Sequence, residues 1–327
     1  MSAKDPGTHH FWGLRNPSLV SQVEAFSPDA VLLMNYNYAS LYNFLWQWNS
    51  HRVPLLFRGD SHRLVPPTGF KAQLRRQIIS LIYQRFAACL YVGKANYEYF
   101  RYHGIAPNQL FFSPHAVENN RFFAQVEQAK QAVIAWKQEL GIPAHHRVIL
   151  FAGKFEPKKR PLDLLQAFLQ AQLPQVSLLL VGAGALETEL KEKATAHPHI
   201  YFAPFQNQTL MPRTYAVADI VVLPSYGGQE TWGLAINEAM CLARPVIVST
   251  HVGCAQDLVH AYQNGLTFPA GDVTALANCL REAFSNPQRL QKWGMQSHQI
   301  ISSYSYKQAT EGLRKALKTI KEKSFKF

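Results

Sequence analysis

The sequence predicts an α/β fold built on two parallel sheets, one in each half of the chain. Short apolar runs alternate regularly with helical stretches, as strand–helix–strand units require. At 327 residues with 47% hydrophobic and 17% charged residues, the chain can bury two sizeable cores. No apolar run approaches the roughly 20 residues of a membrane-crossing helix.

In the first half, strands are expected at 30–34, 54–57, 89–92 and 110–112, with helices near 16–26, 39–49, 71–86 and 95–103. These four strands read as a thin, doubly wound sheet. The polar, helix-prone stretch 121–146 reads as a connection. In the second half, strands are expected at 148–152, 178–181, 200–203, 220–223, 246–248 and 266–268. Helices fall at 160–171, 185–197, 208–217, 232–243 and 273–284. Six strands with crossover helices complete a Rossmann-like unit. The tail 287–323 reads as two helices parted near 302–305. Its basic end, Leu313 onward, fits either a packed helix with a solvated face or a helix lying on a membrane surface. The resulting domains are 1–125, a linker at 126–146, a ligand-binding unit at 147–300 and a basic helix at 301–327.

The formal net charge of +12 favours anionic partners: phosphate ligands, nucleic acid or an acidic bilayer. No RNA-recognition, helix-turn-helix or finger signature accompanies it, so nucleic acid is not expected as a partner. Cys89, Cys241, Cys254 and Cys279 form no Cys-x-x-Cys pair and read as thiols in a reducing compartment. The opening MSAKDPGTHHFWG lacks the pattern of a secretory signal.

Three strand-end segments carry candidate chemistry. Gly153-Lys154-Phe155-Glu156-Pro157-Lys158-Lys159-Arg160 follows a buried strand and precedes a helix, so Lys154 and Lys159 could converge on an anion. The alternative is a solvated basic loop. Gly182-Ala183-Gly184 follows the next strand, where the glycines serve either a tight turn or a ligand. The third runs from Pro224 through Glu230-Thr231-Trp232-Gly233-Leu234 to Glu238. A helix starting near Thr231 would offer the amides of Thr231 to Leu234 to a phosphate. Eight helical steps would put Glu230 and Glu238 about 12 Å apart. That is wider than the roughly 5–9.5 Å of a glycosidase acid–base pair. The two carboxylates better fit opposite ends of one extended ligand, although Glu230 could be a helix-start charge and Glu238 a surface residue. In the first half, Arg58-Gly59-Asp60-Ser61-His62 follows a strand and fits either acid–base or hydroxyl-binding work, or a capped turn.

At these residues the chain resembles glycosyltransferase family 4, retaining enzymes of the GT-B fold in which two Rossmann-like lobes face a cleft. The resemblance is strongest over 147–285. It implies that Lys154 and Lys159, beside Gly153, contact the donor diphosphate, and that Gly182 and Gly184 form the family's Val-Gly-x-Gly turn. It implies further that Glu230 contacts the transferred sugar, that Glu238 binds the ribose, and that amides around Thr231, Trp232, Gly233 and Leu234 approach the phosphates. The loop at Phe205 is expected to help set base selectivity. His62 sits near the strand end where many members carry an active-site histidine. The N-terminal lobe reads as shortened relative to the family.

The implied function is retaining transfer of a sugar from a nucleotide-diphosphate sugar to a saccharide or lipid-linked acceptor, in cell-envelope polysaccharide or glycolipid synthesis. No metal or other cofactor is implied. The expected location is cytoplasmic, at an anionic inner membrane face. The alternative is a nucleotide-sugar-binding subunit that needs a partner chain.

Overall fold

The computed structural model describes residues 11–35 and 37–324; the opening leader read above lies mostly outside them. In chain order the elements are α1 (Leu19–Ala25), β1 (Val31–Leu33), α2 (Ala39–Gln47), β2 (Leu55–Arg58), α3 (Phe70–Tyr83), β3 (Ala88–Tyr91), α4 (Lys94–Tyr102) and β4 (Leu110–Phe112). They continue with α5 (Asn119–Ala124), α6 (Val126–Glu139), β5 (Arg147–Ala152), α7 (Pro161–Ala171), β6 (Val176–Val181), α8 (Glu187–Ala194), β7 (Ile200–Ala203), α9 (Met211–Ala216) and β8 (Ile220–Leu223). The last are α10 (Leu234–Cys241), β9 (Val246–Ser249), α11 (Ala255–Leu258), β10 (Gly265–Phe268), α12 (Val273–Phe284), α13 (Pro287–Ile301) and α14 (Tyr306–Ser324). Two compact units result, one ending at Pro114 and regaining the chain from Ala309, the other spanning His115–Gln308. No helix among the described residues is long and apolar enough to cross a membrane.

The first unit holds a four-stranded parallel sheet in the order β1-β2-β3-β4. Side chains alternate across it, as the two-residue strand period demands. Leu33, Leu55, Phe57, Cys89 and Leu110 face α2, α3 and α4 through Phe44, Leu45, Ile82, Tyr83 and Phe100. Leu32, Leu56, Ala88, Leu90 and Phe111 face the other way, onto Leu313, Ala316 and Ile320 of α14. The sheet is therefore not doubly wound as expected. Its strands advance in one direction, and right-handed crossovers then put the connecting helices on one face. The second face is closed by a helix from the far end of the chain. The apolar stripe of that helix is thereby used inside the protein, so of the two readings of the C-terminal segment the packed helix with a solvated face is the one observed. Gly312 marks the crossing point, where a Cβ would stand 1.9 Å from the Phe112 carbonyl oxygen.

The second unit holds a six-stranded parallel sheet in the order β10-β9-β8-β5-β6-β7. Strands such as Val176–Val181, buried along their whole length, read as continuous apolar runs because helices cover both faces. Of the segment 126–146, Val126–Glu139 forms α6 within this unit, with Ala129 and Trp136 buried and Arg213 lying over the Trp136 ring. The direction of winding reverses between β5 and β8, which are paired neighbours. At such a switch point the loops leaving the two strands diverge and open a crevice at their carboxyl ends, the usual ligand position in open α/β sheets.

Candidate functional site

The loops after β5 and β8 meet at this switch point. Tyr226 N–H donates to the Lys158 carbonyl at 2.8 Å, tying the loops together by their backbones. Next to that bond the Lys159 ammonium pairs with Glu230 Oε2, and Ser225 Oγ donates to the same oxygen at 3.0 Å. The side chains of Lys159 and Glu230 are only 21% and 13% exposed, so the pair is largely shielded from water. Ser225 is itself fully buried, and its carbonyl accepts from Ser249 Oγ of β9. Further along the loop, Gly227 N–H donates to His251 Nδ1 at 3.1 Å. Arg160 takes a left-handed conformation (φ 54°), and Pro161 then opens α7 with its φ already set for a helix.

The Glu230 loop is clamped from behind. Gly253 N–H donates to the Glu230 carbonyl and Cys254 N–H to the Trp232 carbonyl, each at 3.0 Å. The Trp232 side chain is buried, its indole N–H donating to Asn237 Oδ1 at 2.8 Å. Asn237 in turn donates to the His115 carbonyl. These contacts hold residues 230–232 out of the helix, which starts at Leu234 behind Gly233 (φ 99°), three residues later than the sequence suggested. The amides at the opening turn are therefore those of Leu234 and Ala235, and the helical rise from Leu234 to Glu238 covers only about 6 Å. The estimate of about 12 Å from Glu230 does not apply, because half of that path is loop.

Glu238 points to a second polar cluster. Tyr215 O–H donates to its Oε2 at 2.7 Å. Burial raises the Glu238 carboxyl above the usual carboxylate range, while hydrogen bonds from Tyr215 and Gln208 and the charge of Arg121 pull the other way. Arg121 of α5 donates to the Gln208 carbonyl at 2.9 Å and to its Oε1 at 2.8 Å. Burial also pushes the Tyr215 phenol well up, with the Glu238 charge adding to it. Glu238 is thus not a surface residue; it is half-buried among fixed partners.

The remaining expected residues fall into three groups. Gly182 and Gly184 serve backbone packing, since a Cβ would stand 2.0 Å from the Gly153 carbonyl oxygen and 2.6 Å from that of Phe155. Phe155 N–H donates to Ala183 O, and Leu186 N–H to Phe155 O, so the loops after β5 and β6 are zipped edge to edge. Lys154, Phe205 and Leu234 are exposed, and Lys154 lies 3.8 Å from Glu156. His62 belongs to the first unit, where its Nδ1 accepts from Leu64 N–H at 3.3 Å. Beside it Arg58 donates to the carbonyls of Ser113 and Pro114, a structural use of that charge. The buried Asn96 donates to the Ser61 carbonyl at 2.7 Å and fixes the loop.

Sequence reasoning missed Tyr215, Asn237 and Arg121 as site residues, and it named Ser225 only as part of a selectivity loop at Ser225–Gln229. Ser225 lay inside the quoted strand-end segment and was findable there. Tyr215 and Arg121 are far from Glu238 in sequence, and no spacing connects them.

A doubly wound parallel sheet with a basic loop and a carboxylate meeting at its switch point places the chain in the α/β class whose ligands usually sit at that crevice. Residues 133–299, just over half of the chain, match the family described as Glycosyl transferases group 1, and the chain belongs to that family. Among curated relatives, a D-inositol 3-phosphate glycosyltransferase of Nocardioides is 29% identical over 210 residues, which are 57% of this chain and 45% of that protein. An O-antigen chain mannosyltransferase C of Escherichia coli is 27% identical over 175 residues, 53% of this chain and 45% of its own length. The chain therefore spans about half the length of the curated relatives it matches. Among solved structures, Anabaena HepE in complex with UDP superposes with a TM-score of 0.74 at 21% identity, covering 92% of this chain and 82% of that one. A glycosyltransferase from Rickettsia africae gives 0.74 at 15% identity, covering 94% and 83%. These likenesses identify the two-lobed GT-B fold.

Proposed function

We propose that the protein transfers a sugar from a nucleotide-diphosphate sugar to a saccharide or lipid-linked acceptor, with retention of configuration, as a member of glycosyltransferase family 4. The observation that carries this reading is the Lys159–Glu230–Ser225 cluster at the switch point of the second sheet. Glu230, shielded and fixed by two donors, orients the sugar. Lys159 and the exposed Lys154 stabilise the charge that develops on the leaving diphosphate, aided by the amides that open α10. Glu238 holds the ribose diol. His62, in the first unit, works on the acceptor side.

Charge neutralisation by lysines and helix-start amides replaces a metal in this reading. Transfer should therefore persist when chelator is present, and its loss with restoration by a divalent cation would reject that part. The names of the relatives, an O-antigen mannosyltransferase among them, support a role in cell-envelope synthesis. The charge of +12 supports peripheral association with an anionic cytoplasmic membrane face.

The test is sugar transfer or donor hydrolysis by the purified chain across a panel of nucleotide sugars. Activity that Glu230→Gln removes is expected. Activity arising only when another chain is added would replace this reading with that of a binding subunit.

A further inference from the structure

Helix α3 of the first unit carries two apolar faces. Ile79, Ile82 and Tyr83 enter the core. Phe70, Leu74, Ile78 and Leu81 recur at helical spacing on a different side and are 80%, 50%, 45% and 55% exposed. At 100° per residue this second stripe spans about 80° of the helix. An exposed stripe of this kind on a surface helix marks an interaction site.

The surroundings define what it meets. Lys71 and Arg75 flank the stripe on one side, and both are exposed. No Asp or Glu occurs between Asp60 and Glu98, while Arg63, Lys71, Arg75, Arg76, Arg85 and Lys94 all fall in that interval. The guanidinium groups of Arg63 and Arg76 are held elsewhere, 3.4 and 4.1 Å from the centroid of the Tyr102 ring, so Lys71 and Arg75 are the cations beside the stripe. A second copy of this chain is a poor occupant, because a two-fold contact would bring two acid-free surfaces bearing Lys71 and Arg75 together. An anionic bilayer offers both an apolar layer and complementary charge.

We infer that the exposed face of α3 is a membrane-docking surface, with Phe70, Leu74, Ile78 and Leu81 entering the headgroup–acyl boundary of an anionic leaflet and Lys71 and Arg75 meeting its headgroups. This names the surface behind the membrane association put forward above and rests on that reading. It also moves the contact away from α14, whose apolar residues face the first sheet.

The test is co-sedimentation of the full chain with phosphatidylcholine vesicles, with and without phosphatidylglycerol. Binding is expected only to the anionic vesicles. The double variant Leu74→Gln/Ile78→Gln should weaken it by about tenfold or more, and Lys71→Glu/Arg75→Glu should abolish it. Lys318→Ala/Lys321→Ala in α14 should leave it intact. Wild-type failure to bind anionic vesicles would overturn the inference. So would unchanged binding by the α3 variants, or a dimer in light scattering that Leu74→Gln/Ile78→Gln dissociates. Thermal shift by nucleotide sugars, measured on the same samples, is expected to be unaffected by the α3 variants. Failure at the membrane is thereby separated from failure of donor binding.

Discussion

A methyl group at residue 253 would stand 1.8 Å from the Thr231 carbonyl oxygen and 2.4 Å from its carbon. Both atoms are backbone and cannot rotate away, so Gly253→Ala must displace the loop that carries Glu230. We expect a loss of about 3 kcal/mol or more in urea unfolding, together with weakened nucleotide-sugar binding. Glu238 makes a different prediction. Burial raises its carboxyl above the ordinary value, so between those two values the folded protein holds the proton more firmly than the unfolded chain does. Stability then falls as pH rises through that window, and the penalty is absent below the unfolded value. Glu238→Gln removes the buried charge while keeping an acceptor for Tyr215 O–H. Its melting temperature should exceed wild type at neutral pH, with a flatter pH profile and poorer donor binding. A lower melting temperature at neutral pH would contradict the assignment. A higher melting temperature in Glu238→Gln would show that the carboxylate is held at a cost in stability, as a binding group would be.

At the scale of elements, strands were the most legible feature, because those with both faces covered appear as unbroken apolar runs such as Val148 to Phe151. The winding of the first sheet was not legible. It follows from the strand order β1-β2-β3-β4, and the face left open is closed by α14, whose Leu313, Ala316 and Ile320 are more than two hundred positions from the strands they cover. The start of α10 was missed for a related reason. Local pattern favours a helix from Thr231, and the contacts that forbid it come from Gly253, Cys254 and the buried Trp232–Asn237 pair. The role given to α14 can be tested by Ala316→Asp, which places a carboxylate at a fully buried position against β2 and β3. Lacking a partner there, it should cost about 3 kcal/mol and speed hydrogen exchange in Leu55–Arg58 and Ala88–Tyr91. Unchanged protection in those strands would mean that α14 does not close the sheet.

Across the whole molecule, the meeting of Lys159 with Glu230 was legible because both lie in loops that leave strands, and the fold class specifies where strand ends converge. Lys159 and Glu230, 71 positions apart, are joined by the reversal between β5 and β8. The partners of Glu238 were not legible, since Arg121 lies on one further segment and Gln208 and Tyr215 on another, and only the fold determines their approach. The net charge of +12 pointed to anionic partners without locating them; the acid-free interval around α3 gives part of that charge a surface.

The central claim, that the switch point of the second unit holds a nucleotide-diphosphate sugar through Lys159 and Glu230, is tested most directly by calorimetric titration of UDP- and GDP-linked sugars into the wild-type chain and into folded Lys159→Ala. At least one donor should bind the wild type, and its affinity should fall by about tenfold or more when the ammonium is removed. Absence of binding by every donor, or equal affinity in the two proteins, would contradict the account.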